Sequence, residues 1–107
     1  MTEHSNKRVA LVTGANKGIG FETARELASQ GITVLLGARD EQRGREAAAK
    51  LKGKGLDVQF LHLDVNDAQT HEAARKFIED NFGRLDILVN NAGIAVDVAQ
   101  KPSEVDT

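Results

Sequence analysis

The chain has 107 residues, no cysteine and a formal net charge of -2, with 14 basic and 16 acidic residues interspersed along it. That balance leaves no basic stripe for nucleic acid, and the missing cysteines remove disulfides and thiolate metal sites while fitting a reducing compartment. Met1 to Arg8 is polar, and no apolar run reaches the length of a signal-peptide core or a membrane span, so a cytoplasmic location with no membrane partner is expected.

This length predicts one domain over residues 1–107 that buries roughly 65% of its unfolded surface, with a core over 8–94 and a tail over 95–107. Val9 to Val12 is a short, continuous apolar run, the pattern of a strand buried on both faces. A helix is expected from about Gly18 to Gln30, with Gly20, Ala24, Leu27 and Ala28 on one face and Gly31 at its C-terminal end. Ile32 to Gly37 reads as a second strand. Asp40 caps a second helix, whose Gly44, Ala47, Ala48 and Leu51 recur at helical spacing before Gly53 and Gly55 end it. Val58 to Leu63 reads as a third strand. Asn66, with Gln69 three residues on, resembles a capping box opening a third helix, which buries Ala74, Phe77 and Ile78 and closes at Gly83. Ile87 to Val89 is the fourth strand. The rhythm predicts an α/β fold: a Rossmann-like, doubly wound parallel sheet of about four strands in the order 3-2-1-4, with three helices and right-handed crossovers.

Between the first strand and the first helix the chain reads Thr13-Gly14-Ala15-Asn16-Lys17-Gly18-Ile19-Gly20. Glycines there allow tight turns and let main-chain N–H groups approach an anion, while the helix presents its positive N-terminal end. A strand before and a helix after make this a phosphate-cradling loop for a dinucleotide pyrophosphate rather than a turn that happens to be glycine-rich. Other chemistries fit less well. The loop lacks the Gly-Lys-Ser/Thr ending of a nucleoside triphosphate site, since Lys17 precedes Gly18. A response-regulator-like domain would need an acidic cluster after the first strand, where Thr13 and Gly14 stand. His4, His62 and His71 lie too far apart to share metal-ligand spacing, and no metal is expected. Glu79 and Asp80 read as a solvated helix face.

The TGxxxGxG pattern at Thr13 to Gly20, the Asp64-Val65 pair after the third strand and Asn90-Asn91-Ala92-Gly93 after the fourth together resemble the short-chain dehydrogenase/reductase family. The wording of the loop and of Gly37-Ala38-Arg39-Asp40 is most similar to its carbonyl reductase branch, over about Val9 to Ile94. The resemblance implies that Gly14, Gly18 and Gly20 line the pyrophosphate, that Asp64 accepts from the adenine amino group and that Asn90 holds the adenosine side. Asn16, Lys17, Ile19, Val65, Ala92 and Gly93 complete the implied cofactor-binding set. Asn90 and Asn91 can also be read as a turn that stabilises the sheet.

An enzyme that prefers NAD places a carboxylate at the end of the second strand, about twenty residues past the glycines. Ala38 stands there instead. Arg39 beside it can grip a 2′-phosphate with its planar fork, and Lys17 can add a second positive charge, so NADP(H) is the expected cofactor. Arg43, one helical turn on, is a weaker third candidate. The alternative is that these are ordinary solvated charges.

In the resembled family, hydride transfer relies on a Ser, a Tyr and a Lys that come later in the chain. These 107 residues contain no tyrosine. They are therefore expected to be the NADP(H)-binding portion of an oxidoreductase that reduces carbonyl compounds with NADPH, inactive alone and with no catalytic residue of its own. A carbonyl substrate would bind only if the catalytic half is supplied. A non-catalytic NADP(H)-binding module, or an inactive truncated product, is the alternative. With the order 3-2-1-4, the fourth strand becomes an apolar edge and the third helix stands alone on its face, so self-association through that strand is expected unless the tail folds back over it.

Overall fold

The computed structural model describes residues 7–64, 66–91 and 105–106. Along the chain come β1 (Val9–Val12), α1 (Gly18–Ser29), β2 (Thr33–Ala38), α2 (Glu41–Lys52), β3 (Val58–His62), α3 (Ala68–Asn81), β4 (Ile87–Val89) and β5 (Val105–Asp106). The strands pair in parallel in the order β3-β2-β1-β4-β5. The expected 3-2-1-4 sheet with three helices is present, and a two-residue fifth strand extends it.

Alternate residues of the strands enter two cores, as the two-residue repeat of a strand requires. Ala10, Val12, Val34, Leu36, Ala38 and Val58 meet Ala24 and Ala28 of α1 and Ala47, Ala48 and Leu51 of α2 on one face. Val9, Leu11, Leu35, Leu61 and Leu88 meet Ala74 and Ile78 of α3 on the other. Small residues on α1 and α2 let both helices lie close to the sheet. The chain moves outward from β1 to β2 to β3 and then returns past β1 to β4, so right-handed crossovers put α1 and α2 on one face and α3 on the other. That reversal opens a crevice at the carboxyl ends of β1 and β4, where open α/β sheets bind ligands.

Three expectations need correction. β2 begins at Thr33 rather than Ile32, because the Ile32 amide is used to close α1 by donating to the Leu27 carbonyl at 3.3 Å. The cap of α3 is Asp67, not Asn66: the Asp67 carboxylate accepts from the Gln69 amide at 3.0 Å, while the Asn66 amide donates to Asp64 Oδ1 at 2.9 Å. Finally, β4 is not an open edge. Leu88 and Val89 pair with Val105 and Asp106 of β5, and Leu88 is buried. Among the described residues the only exposed large hydrophobic side chain is Ile19, at the start of α1 rather than on a sheet face. Of the tail expected over residues 95–107, only Val105 and Asp106 fall within the described residues.

Candidate functional site

The loop from Thr13 to Lys17 leaves the carboxyl end of β1 and is tied to both neighbouring strands. The Thr13 amide donates to Val89 O at 3.0 Å on the β4 side, and the Ala15 amide donates to Gly37 O at 3.0 Å on the β2 side. The Thr13 hydroxyl, almost fully buried, lies 3.2 Å from Asn90 Oδ1 and 3.5 Å from Val89 O. Asn91 Nδ2 donates to Gly14 O at 3.1 Å. The turn after β4 therefore braces the loop after β1 through two side chains. That is the stabilising reading of the asparagine pair, and it adds Thr13 and Asn91 to the residues that shape the site. Thr13 opens the TGxxxGxG pattern, but only its contacts reveal that its hydroxyl ties the loop to the turn after β4.

The glycines have distinct tasks. Gly14 and Gly18 adopt φ of 59° and 65°, the left-handed region that side chains disfavour. Gly20 is needed for space: a Cβ there would lie 2.5 Å from Gly14 O and 2.7 Å from Asn91 Nδ2. Lys17 occupies the N-cap of α1 in an extended conformation, its side chain makes no capping bond, and the first turn contains no acidic residue. The opening amides of α1 are thus left to an external acceptor, with the positive end of the helix behind them. Main chain with no Cβ to obstruct it, uncapped amides and an exposed cation, Lys17, at the cap fit the pyrophosphate of a dinucleotide.

No hydrogen bond or ion pair within the described residues occupies the Lys17 ammonium or the Arg39 guanidinium, and both side chains belong to exposed residues. Lys17 lines a cleft of about 310 Å³ with Asn16, Phe21, Arg43, Glu46, Ala47 and Lys50, between the start of α1 and α2. The structure thus brings Lys17 together with Arg43 and with Lys50, a cation the sequence reading passed over, although Glu46 sets one negative charge among them. Arg39 is not part of that cleft wall. It sits in the turn between β2 and α2, next to buried Ala38.

His62, read from sequence as incidental, faces this turn. It pairs with Ala38 across the β2–β3 ladder, and its Nε2 donates to the Arg39 carbonyl at 2.9 Å. Asp64 follows β3 and is half-buried; its Oδ1 accepts from the Asn66 amide, and its own amide donates to Thr70 Oγ1 at 2.9 Å. Val65, Ala92 and Gly93 lie outside the described residues. Among the described residues, no three His, Cys, Asp or Glu side chains converge on a point, and no helix is long and apolar enough to cross a membrane.

The family model for the short chain dehydrogenases matches residues 8–107. The chain belongs to that family. It is 51% identical over 94 residues to short-chain dehydrogenase/reductase 1 of Saponaria officinalis, covering 85% of this chain and 31% of that protein. It is 50% identical over 95 residues to carbonyl reductase [NADPH] 1 of Mus musculus, covering 88% of this chain and 34% of that protein. Among solved structures, menthone neomenthol reductase of Mentha piperita superposes with a TM-score of 0.78 at 53% identity, over 84% of this chain and 33% of that one. The chain thus spans about a third of the length of the relatives it matches. Each short-chain dehydrogenase signature noted in the sequence follows the carboxyl end of a strand: the glycine loop after β1, Asp64 after β3 and Asn90-Asn91 after β4, the first and last of them at the crevice.

Proposed function

We propose that these residues form the NADP(H)-binding portion of a cytoplasmic short-chain dehydrogenase that reduces carbonyl compounds. The observation that carries the reading is the bare, uncapped start of α1, with Lys17 at its cap and the glycines Gly14, Gly18 and Gly20 around it, together with an exposed, unpaired Arg39 at the end of β2, where a carboxylate would favour NAD. The loop amides would hold the pyrophosphate, and Lys17 and Arg39, helped by Arg43, would hold the 2′-phosphate. Asp64 with Val65 would take the adenine, and Asn90, Ala92 and Gly93 would flank the adenosine side. The NADPH in the name of the mouse carbonyl reductase agrees with this choice. The nicotinamide supplies the hydride when bound. Protonation of the carbonyl oxygen needs a general acid, and these 107 residues contain neither tyrosine nor cysteine to provide it in the family's manner.

The reading is tested by fluorescence titration with NADPH, paired with an absorbance assay of NADPH oxidation in the presence of a quinone or an activated aldehyde. Saturable binding without oxidation is expected of these residues alone. Absence of binding would sink the proposal. Steady oxidation abolished by Gly14→Trp would reveal an acid within these residues that the reading overlooks.

A further inference from the structure

Arg39 recognises a phosphate only if its backbone is held still, since a long side chain anchored on a mobile turn loses in ordering what it gains in contact. Besides the Asp40 carboxylate, which accepts from the Arg43 amide at 3.0 Å, three bonds from separate elements hold that turn. The Leu63 amide donates to Ala38 O at 3.0 Å, the Gly44 amide donates to Asp40 O at 2.9 Å, and His62 Nε2 donates to Arg39 O at 2.9 Å. The first two of these three belong to the ladder and to the opening of α2. The third is a side-chain bond across 23 residues, and it alone reaches Arg39 itself.

The ring is set for this contact. A carbonyl only accepts, so Nε2 carries the hydrogen, and it does so both in that neutral tautomer and in the imidazolium. Nδ1 then faces Glu41 Oε2 at 3.8 Å, and Phe60 stacks on the ring with centroids 6.4 Å apart. Arg45 lies over the Phe60 ring, 5.2 Å from its centroid. The imidazole is therefore packed on Phe60 along β3 and oriented by the first turn of α2.

We propose that His62 is a positioning residue for cofactor specificity: by anchoring the Arg39 carbonyl it holds the guanidinium where a nucleotide 2′-phosphate is read. The inference rests on the NADP(H) reading above. It assigns His62 no contact with the nucleotide, so its effect must pass entirely through Arg39.

The test uses the full chain and measures Kd for NADPH and NADH by titration calorimetry, with thermal melts as a control for folding. His62→Gln keeps an N–H donor at about the reach of Nε2, whereas His62→Asn carries the same amide one methylene short of it. We expect His62→Gln to bind NADPH within about twofold of wild type and His62→Asn to bind it about fivefold more weakly, with NADH within about twofold in both. In an Arg39→Ala background, His62→Asn should change NADPH affinity no further. Equal behaviour of the two variants, equal losses for both nucleotides, or a full further loss on top of Arg39→Ala would overturn the proposal. If Arg39→Ala itself leaves NADPH affinity unchanged, the NADP(H) reading fails and the inference falls with it. If Arg39→Ala weakens NADPH while His62→Asn does not, only the inference fails.

Discussion

At the start of α1 the candidate site is made of main chain: two glycines with positive φ, a third with no room for a Cβ, and helix amides that no side chain caps. After β2 it is made of side chains: an exposed Arg39 next to buried Ala38, and, in the cleft between α1 and α2, Lys17 with Arg43. On the proposed reading, the first region would present N–H groups to any pyrophosphate and would not distinguish one dinucleotide from another. The second has charge to spare and so can discriminate, but contributes little to the shape of the crevice. Damage to the first should therefore remove all binding, and damage to the second should change only the preference.

The largest effect is expected at Gly20. A valine there must displace Gly14 O or the Asn91 amide, which overpacks a braced loop at about 1–3 kcal/mol of stability and closes the cradle. Thermal melting should fall, and calorimetry should detect neither NADPH nor NADH. A Gly20→Val variant that still discriminated between them would break the division between the two regions. Next in size is Arg39. Charge-assisted hydrogen bonds contribute about 1.5–3 kcal/mol, so Arg39→Ala should weaken NADPH about tenfold and leave NADH alone. Adding Ala38→Asp should invert the order, because the new carboxylate repels a 2′-phosphate and accepts from ribose hydroxyls.

Asn91→Ala should have a smaller effect. It removes one bond to Gly14 O, worth about 1 kcal/mol, and should lower both affinities by a similar factor in fluorescence titrations. The smallest effect lies at the opposite end of the sheet. There the Lys7 ammonium, and to a lesser degree the Thr33 hydroxyl, hold the Asp57 carboxyl below the usual carboxylate range, against a desolvation that raises it. A depressed folded-state pKa gives stability that is complete above the unfolded value and lost as pH falls through the folded one. Asp57→Asn should therefore remove no more than about 1 kcal/mol at neutral pH and flatten the acid limb of a melting series. The NADPH preference should not move.

The same contrast governs how much was legible in the sequence. The main-chain region could be read because its requirements are local: an apolar run for β1, glycines in a fixed pattern, and small residues on one face of α1. Asp40 was equally clear as the cap of α2, where its side chain accepts from the Arg43 amide at 3.0 Å. The cap of α3 was not, because Asn66 and Asp67 are both good caps and the choice turns on Asp64, whose carboxylate takes the Asn66 amide first. β5 is two residues long and carries no periodicity. His62 was passed over because its partner is a backbone atom 23 residues away, brought near only by the β2–β3 register. Thr13 and Asn91 stand in motifs that the sequence shows, but their specific contacts do not, because these join segments more than 70 residues apart.

The claim that one region binds and the other chooses is tested most directly by titrating the wild-type chain with NADPH and NADH side by side in a calorimeter at moderate salt. The account predicts that both bind, with NADPH about tenfold tighter or more. Equal affinities would contradict it, leaving Lys17 and Arg39 as solvated surface charges with no part in the choice of nucleotide.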